Sequence, residues 1–140
     1  MRKKSWTACK RMIRLAILGD EPQLEKLVND CGLHNPRIDY SIWTQPVIVA
    51  EEGDRILGFV QLQAGRPVST VTFLCVHPSV EKQGIGRQLM DALDVFMRQE
   101  SLPAYACFTD PHNVRIQRGC AERGMTPLRT LRQWMKVLND

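Results

Sequence analysis

The 140-residue chain lacks several things a protein can be built around. No apolar run approaches the roughly 20 residues that a membrane helix needs, so no membrane partner is expected. The basic N-terminus has neither an apolar stretch nor a small-residue cleavage site, and no signal peptide is read there. The expectation is a cytoplasmic protein. Its five cysteines (Cys9, Cys31, Cys75, Cys107, Cys120) form no C-x-x-C pair, and His34, His77 and His112 show no ligand spacing. Neither a zinc site nor another metal is expected, and the cysteines read as reduced small hydrophobes. Aromatic residues are only 6% of the chain, and they do not interleave with basic ones. That leaves little for a nucleic-acid partner. No linker, repeat or low-complexity tract breaks the chain, which predicts a single domain over 11–140 behind a basic tail at 1–10.

What is present is the balance of a globular protein, with 44% hydrophobic and 24% charged residues. The net charge of +4 is unevenly spread. Residues 1–14 carry six Lys or Arg and no acid, and 115–136 carry six more against Glu122 alone. Basic ends attract an anionic partner such as a phosphorylated cofactor. For residues 1–10 a solubilising tail is the simpler reading.

Alternation predicts a first strand over 12–18. Asp20, Pro22 and Gln23 then look like a helix cap, followed by Leu24, Leu27, Val28 and Cys31 at helical spacing, with Gly32 as the stop. Residues 33–45 lack periodicity and predict a loop. Val47–Ala50 and Ile56–Gln63 read as strands joined by the Glu51-Glu52-Gly53-Asp54 turn. Ser69–Val76 is a third strand, and its apolar run Phe73-Leu74-Cys75-Val76 predicts burial on both faces. From Gly84 a helix carries Ile85, Leu89, Leu93 and Phe96 on one stripe, with Met90 and Met97 beside it. A short strand over Pro103–Phe108, a helix capped by Asp110-Pro111 and ending at Gly124, and a last strand over Leu131–Leu138 complete the order. Hairpin-joined strands followed by strand–helix alternation predict an α/β fold, a central mixed sheet flanked by helices.

Chemistry concentrates between Leu74 and Met90. A strand ends at Val76-His77-Pro78, a short loop follows, and Gly84-Ile85-Gly86 opens an amphipathic helix. Unpaired N–H groups at such a start, together with the helix dipole, favour a phosphate. The two glycines allow close approach, and Lys82 and Arg87 add charge. A P-loop would need G-K-[ST], but Arg87-Gln88 follows Gly86. A dinucleotide turn would need a third glycine where Leu89 stands.

The stretch resembles the GNAT N-acetyltransferase family, whose cofactor motif (Q/R)-x-x-G-x-(G/A) follows a strand ending in apolar-Val-x-Pro. Val76-His77-Pro78 and Gly84-Ile85-Gly86 match, with Glu81 in the first motif position. Asn113 stands eleven residues before Gly124-Met125, as the family's asparagine stands before its Gly-Phe. The resemblance spans about residues 11–138. It implies an acyltransferase that moves an acetyl or short acyl group from acetyl-CoA, or another acyl-CoA, to a primary amine of a small molecule or protein, by direct attack. It further implies that Leu74, Cys75 and Val76 line the pantetheine, that Lys82, Gln83, Gly84, Ile85, Gly86 and Arg87 hold the diphosphate, and that Asn113 bonds the cofactor. The Val76 N–H would polarise the thioester carbonyl.

Two family positions differ. Cys120 stands where a tyrosine commonly protonates the leaving thiolate, and it reads as a small helix-core residue before a thiol acid. Thr70 stands where some members carry a base glutamate. His77 at a strand end reads as a turn residue before a catalytic one. Tyr40 and Trp43 fall where the family covers its acceptor, as pocket walls or as core. Trp134 belongs to the core or to a homodimer interface. A non-catalytic acyl-CoA sensor is the alternative function, and a basic nucleic-acid-associated protein is the third.

Overall fold

The computed structural model describes residues 11–32, 45–109, 112–128, 136 and 138. Tyr40 and Trp43 of the expected loop, the Asp110-Pro111 cap and most of the expected last strand, Trp134 included, lie outside the described residues, and Lys136 and Leu138 carry no strand assignment. Two units pack internally, Met1–Cys107 and Phe108–Asp140. In the first, β1 (Arg11–Leu15), α1 (Glu21–Asp30), β2 (Val47–Glu52), β3 (Arg55–Gln63), β4 (Ser69–Val76), α2 (Ile85–Gln99) and β5 (Tyr105–Ala106) follow in order. The five strands form one mixed sheet in the order β1-β2-β3-β4-β5. The first three pairings are antiparallel and the last is parallel.

Strand alternation sorts the core into two layers. Val47, Val49, Ile56 and Phe59 face α1, where Leu24, Leu27 and Val28 are buried. Ile48, Ala50, Val60 and Leu62 face α2, which buries Ile85, Leu89, Met90, Leu93 and Met97. The α2 stripe is the one that periodicity predicts, and each side chain so buried contributes roughly 1.5–3 kcal/mol. Gly58 lets α2 sit close. A Cβ there would lie 2.7 Å from the Cys75 carbonyl oxygen and 3.2 Å from Ile85 Cγ2.

Several local expectations are corrected. β1 stops at Leu15, and a 3-10 turn over Leu18–Asp20 leads into α1. Asp20 makes no side-chain cap to that helix. Its carboxylate accepts the Ile17 N–H at 2.8 Å and takes the Arg14 guanidinium at 2.8 and 3.1 Å, which ends the strand early. Gln23 closes no capping box. It accepts the Ile56 N–H at 2.9 Å and donates to the Asp54 carbonyl at 3.1 Å, pinning α1 to the β2–β3 hairpin. The run Phe73–Val76 is not buried on both faces, since Cys75 is 2% exposed but Leu74 is 44% exposed. β5 is two residues long rather than six, for a reason given below.

In the second unit, α3 (Val114–Glu122) starts later than the Asp110-Pro111 reading placed it. Asn113 is its cap, accepting the Ile116 N–H at 3.2 Å. Gly124, at φ +81°, follows its end as expected.

Candidate active site

β4 and β5 pair only at Ser69–Tyr105 and Thr70–Ala106. Two residues later the β3–β4 register shifts, so that Gln61 faces Phe73 while Leu62 faces Val71, leaving Thr72 without an opposite number. Such a bulge bends its strand. Thr72 is held there by its hydroxyl, which donates to the Gln61 carbonyl at 3.2 Å and lies 3.0 Å from Gln61 Oε1. Beyond it, β4 runs to Val76 with no described strand on its β5 side. The break that cuts β5 short therefore opens an edge on β4.

Register fixes what that edge offers. The His77 N–H donates to the Leu57 carbonyl at 2.8 Å. That makes Gly58–Val76 a non-hydrogen-bonded pair, and Val60–Leu74 another. The N–H and C=O groups of Leu74 and Val76 therefore point away from β3, into the opening. An extended ligand finds there the same row of donors and acceptors that a further strand would. One acceptor is already engaged, since the Cys31 thiol at the end of α1 donates to the Val76 carbonyl at 3.5 Å. Burial pushes the Cys75 thiol up to about 12, with Cys31 beside it adding to the shift. Burial also raises Cys31. Both stay protonated near neutrality, as packing groups and weak donors rather than nucleophiles.

The edge leads directly to the glycine loop. His77 caps a 3-10 turn (Pro78–Val80), with Nδ1 accepting the Ser79 N–H at 3.1 Å. That leaves the ring proton on Nε2, 3.2 Å from Asp30 Oδ2. The imidazole thus ties α1 to the loop, as the turn reading has it. Asp30 sits below the usual carboxylate range, chiefly through Lys26 and secondarily through His77. The chain then passes through two left-handed residues, Lys82 at φ +66° and Gly84 at φ +80°. At Gly84 a glycine is the unstrained choice. α2 begins at Ile85 with no side-chain cap and no acid in its first turn.

The Gln88 N–H is the first to bond back, to the Gly84 carbonyl at 3.0 Å. The N–H groups of Ile85, Gly86 and Arg87 are left for an outside acceptor. A Cβ on Gly84 would meet nothing within 4 Å, so the space beside Gly84 is open. Lys82, Gln83 and Arg87 are exposed around it. Unpaired amides at a helix N-terminus, beside an open strand edge, are an arrangement that favours an anion. It brings together Leu74, Cys75, Val76, Lys82, Gln83, Gly84, Ile85, Gly86 and Arg87. Asn113 and Cys120 lie on α3 in the second unit, where Cys120 is partly buried.

Sequence reasoning missed two residues that shape this site. Cys31 reads there only as a helix-face hydrophobe, and Arg11 only as one of a basic cluster. Arg11 donates to the Gln83 carbonyl at 3.3 Å and to Gln88 Oε1 at 2.8 Å. Their partners lie 45 to 77 residues away, so no local signal marks them.

Among the described residues no group of three or more His, Cys, Asp or Glu could hold a metal ion. No described helix is long and apolar enough to cross a membrane. The model of the Acetyltransferase (GNAT) family matches residues 15–125. Solved structures share the fold, three of them as follows. An aminoglycoside N-acetyltransferase AAC(6')-Iy in complex with CoA superposes with TM-score 0.74 at 16% identity, over 91% of this chain and 95% of that one. An aminoglycoside acetyltransferase, meta-AAC0020, from an uncultured soil metagenomic sample gives 0.75 at 16%, over 92% and 97%. A ribosomal-protein-alanine N-acetyltransferase from Brucella melitensis biovar Abortus 2308 gives 0.70 at 17%, over 91% and 99%. Comparison with curated proteins returns no significant match.

Proposed function

The chain belongs to the GNAT acetyltransferase family, and from that premise we propose that it transfers an acetyl or short acyl group from acyl-CoA to a primary amine. The observation carrying this reading is the continuity of the β4 edge with the uncapped start of α2. Residues fit the donor at both ends. The Ile85, Gly86 and Arg87 amides, with Lys82 and Arg87 side chains, hold the diphosphate, and the Leu74 and Val76 backbone pairs with the pantetheine amides. Glu81 replaces the Gln or Arg of the family motif, which is tolerable where the grip is made by backbone.

Acyl-CoA supplies an activated thioester carbonyl. The Val76 N–H, directed into the opening, donates to the oxygen on which charge develops as the amine attacks. One such donor is worth about 3 kcal/mol in comparable sites. The C–N bond forms, the amine nitrogen gives up one proton, and the C–S bond breaks as the leaving thiolate takes one up. Cys120 and Asn113 enter this reading through the family motif, as thiol acid and as cofactor contact, and Tyr40 and Trp43 as acceptor walls. AAC(6')-Iy and the Brucella protein bear names that specify an aminoglycoside and a ribosomal-protein alanine as what is N-acetylated, which supports an amine acceptor.

The test has two arms. Calorimetry should show CoA binding that Gly84→Asp weakens at least about tenfold, since a like charge enters the cradle at a position with room for the side chain. Incubation with acetyl-CoA and a panel of amines should release free CoA thiol. Unchanged affinity in a folded Gly84→Asp protein would sink the diphosphate placement. Binding without turnover across the panel would leave a sensor in place of an enzyme.

A further inference from the structure

The sheet edge opposite the opening sends one side chain to the glycine loop. Arg11 is the first residue of β1, and α2 lies across the sheet face from β4 to β1. The Arg11 Nη1 reaches both the Gln83 carbonyl, at 3.3 Å, and Gln88 Oε1, at 2.8 Å. A carboxylate neighbour, Glu52, is 3.8 Å away, beyond hydrogen-bond length. The side chain is only 18% exposed. Among the described residues, the tight contacts of this guanidinium are therefore to the loop and to the first turn of α2.

The carbonyl it holds is the one whose direction matters. In a trans peptide the C=O of one residue and the N–H of the next point opposite ways. Gln83 and Gly84 share such a unit, and Gly84 at φ +80° has the backbone freedom to let that plane turn. Resting on the acyl-CoA reading of this loop, we infer that Arg11 is a positioning residue for cofactor binding. Its guanidinium fixes the Gln83 carbonyl on the protein side, so that the Gly84 N–H joins those of Ile85, Gly86 and Arg87 in facing the diphosphate. The Gln88 bond holds the same guanidinium against the helix, and its positive charge stands behind the cradle.

The experiment compares CoA affinity by calorimetry, and the amide NMR resonance of Gly84, in the full chain, Arg11→Ala, Arg11→Lys and Glu52→Gln. Arg11→Ala should bind CoA about tenfold more weakly, the usual scale for one charge-assisted contact. Arg11→Lys should recover part of this, because an ammonium can still reach one acceptor. Glu52→Gln should bind as the natural chain does. The Gly84 resonance of the ligand-free protein should move in Arg11→Ala and stay put in Glu52→Gln. Equal affinity in Arg11→Ala overturns the inference, as does an equal loss in Glu52→Gln, which would mean that any disturbance of β1 suffices. If the natural chain binds no CoA, the acyl-CoA reading fails separately, and an unmoved Gly84 resonance would then remove the positioning role as well. Should Arg11→Ala fail to fold, Arg11→Lys carries the comparison, and unchanged affinity and resonance there overturn it.

Discussion

Arg14 lies between two carboxylates, and its geometry favours Asp20. Two nitrogens meet the two Asp20 oxygens at 2.8 and 3.1 Å, and Glu51 adds contacts at 3.2 Å. Asp20 is 6% exposed. The Arg14 guanidinium holds the Asp20 carboxyl below its ordinary value against the opposing effect of burial, and the Ile17 N–H helps. Both carboxylates raise Arg14 in turn. A carboxyl whose folded value lies below its unfolded one, near 3.9, stabilises the protein above that pH and loses the contribution as pH falls through the folded value. Asp20→Asn should therefore cost about 1–3 kcal/mol at pH 7 in urea unfolding, because the Arg14 charge keeps a weaker partner. The gap between variant and natural chain should narrow below pH ~4. A gap that is flat from neutrality to pH ~3 would mean that packing, not charge, carries the effect.

At the level of elements, the close seating of α2 on the β3–β4 pair decides where the cradle sits. Gly58 faces Val76 across the sheet, and its missing side chain leaves room for Ile85 and Leu89. A methyl there would meet a backbone carbonyl at 2.7 Å, which cannot rotate away, so strand or helix must move. Gly58→Ala should lower stability by about 1–3 kcal/mol in thermal or urea unfolding. It should also weaken CoA binding, because the start of α2 shifts relative to Val76. A variant of full stability and full affinity would show that the contact yields easily. The same elements show what a sequence discloses. Ile85, Leu89 and Leu93 lie along a 3.6-residue stripe, Gly32 and Gly84 punctuate, and the β2–β3 hairpin carries its own turn, so all of these are readable locally. The opening is not, because it depends on where β4 leaves β5. That is set by a bulge at Thr72, which no period reports. For the same reason Leu74 reads as core, although it stands on an edge. Asp20 and Gln23 have the residue types and spacing of a cap, but tertiary partners (Arg14 and the β2–β3 hairpin) outbid the helix N-terminus for their side chains.

Across the whole molecule, the basic N-terminal cluster divides in two. Arg11 and Arg14 are built into the fold, one on the glycine loop and the other between Asp20 and Glu51. Arg2, Lys3, Lys4 and Lys10 fall within residues 1–10, the segment the sequence reading takes as a tail, and no acid accompanies them. If the diphosphate is held by loop amides, Lys82 and Arg87, with Arg11 positioning the loop from behind, residues 1–10 have no part in that grip, and the cofactor-binding domain begins at residue 11. A chain lacking residues 1–10 should then keep its unfolding midpoint and bind CoA within about threefold of the full chain at physiological ionic strength, where exposed charges are screened beyond ~8 Å. Its behaviour towards polyanions should change more. Removing four positive charges from a net +4 leaves no net charge. Retention of the full chain on heparin or duplex DNA should therefore weaken sharply on truncation, with a shallower dependence on salt. The two readouts separate the tail from the site. A large loss of CoA affinity on truncation would put the tail in the cofactor site and move the domain boundary towards the N-terminus. DNA binding that survives truncation would locate a polyanion surface beyond residue 10, with the basic segment 115–136 the first place to look.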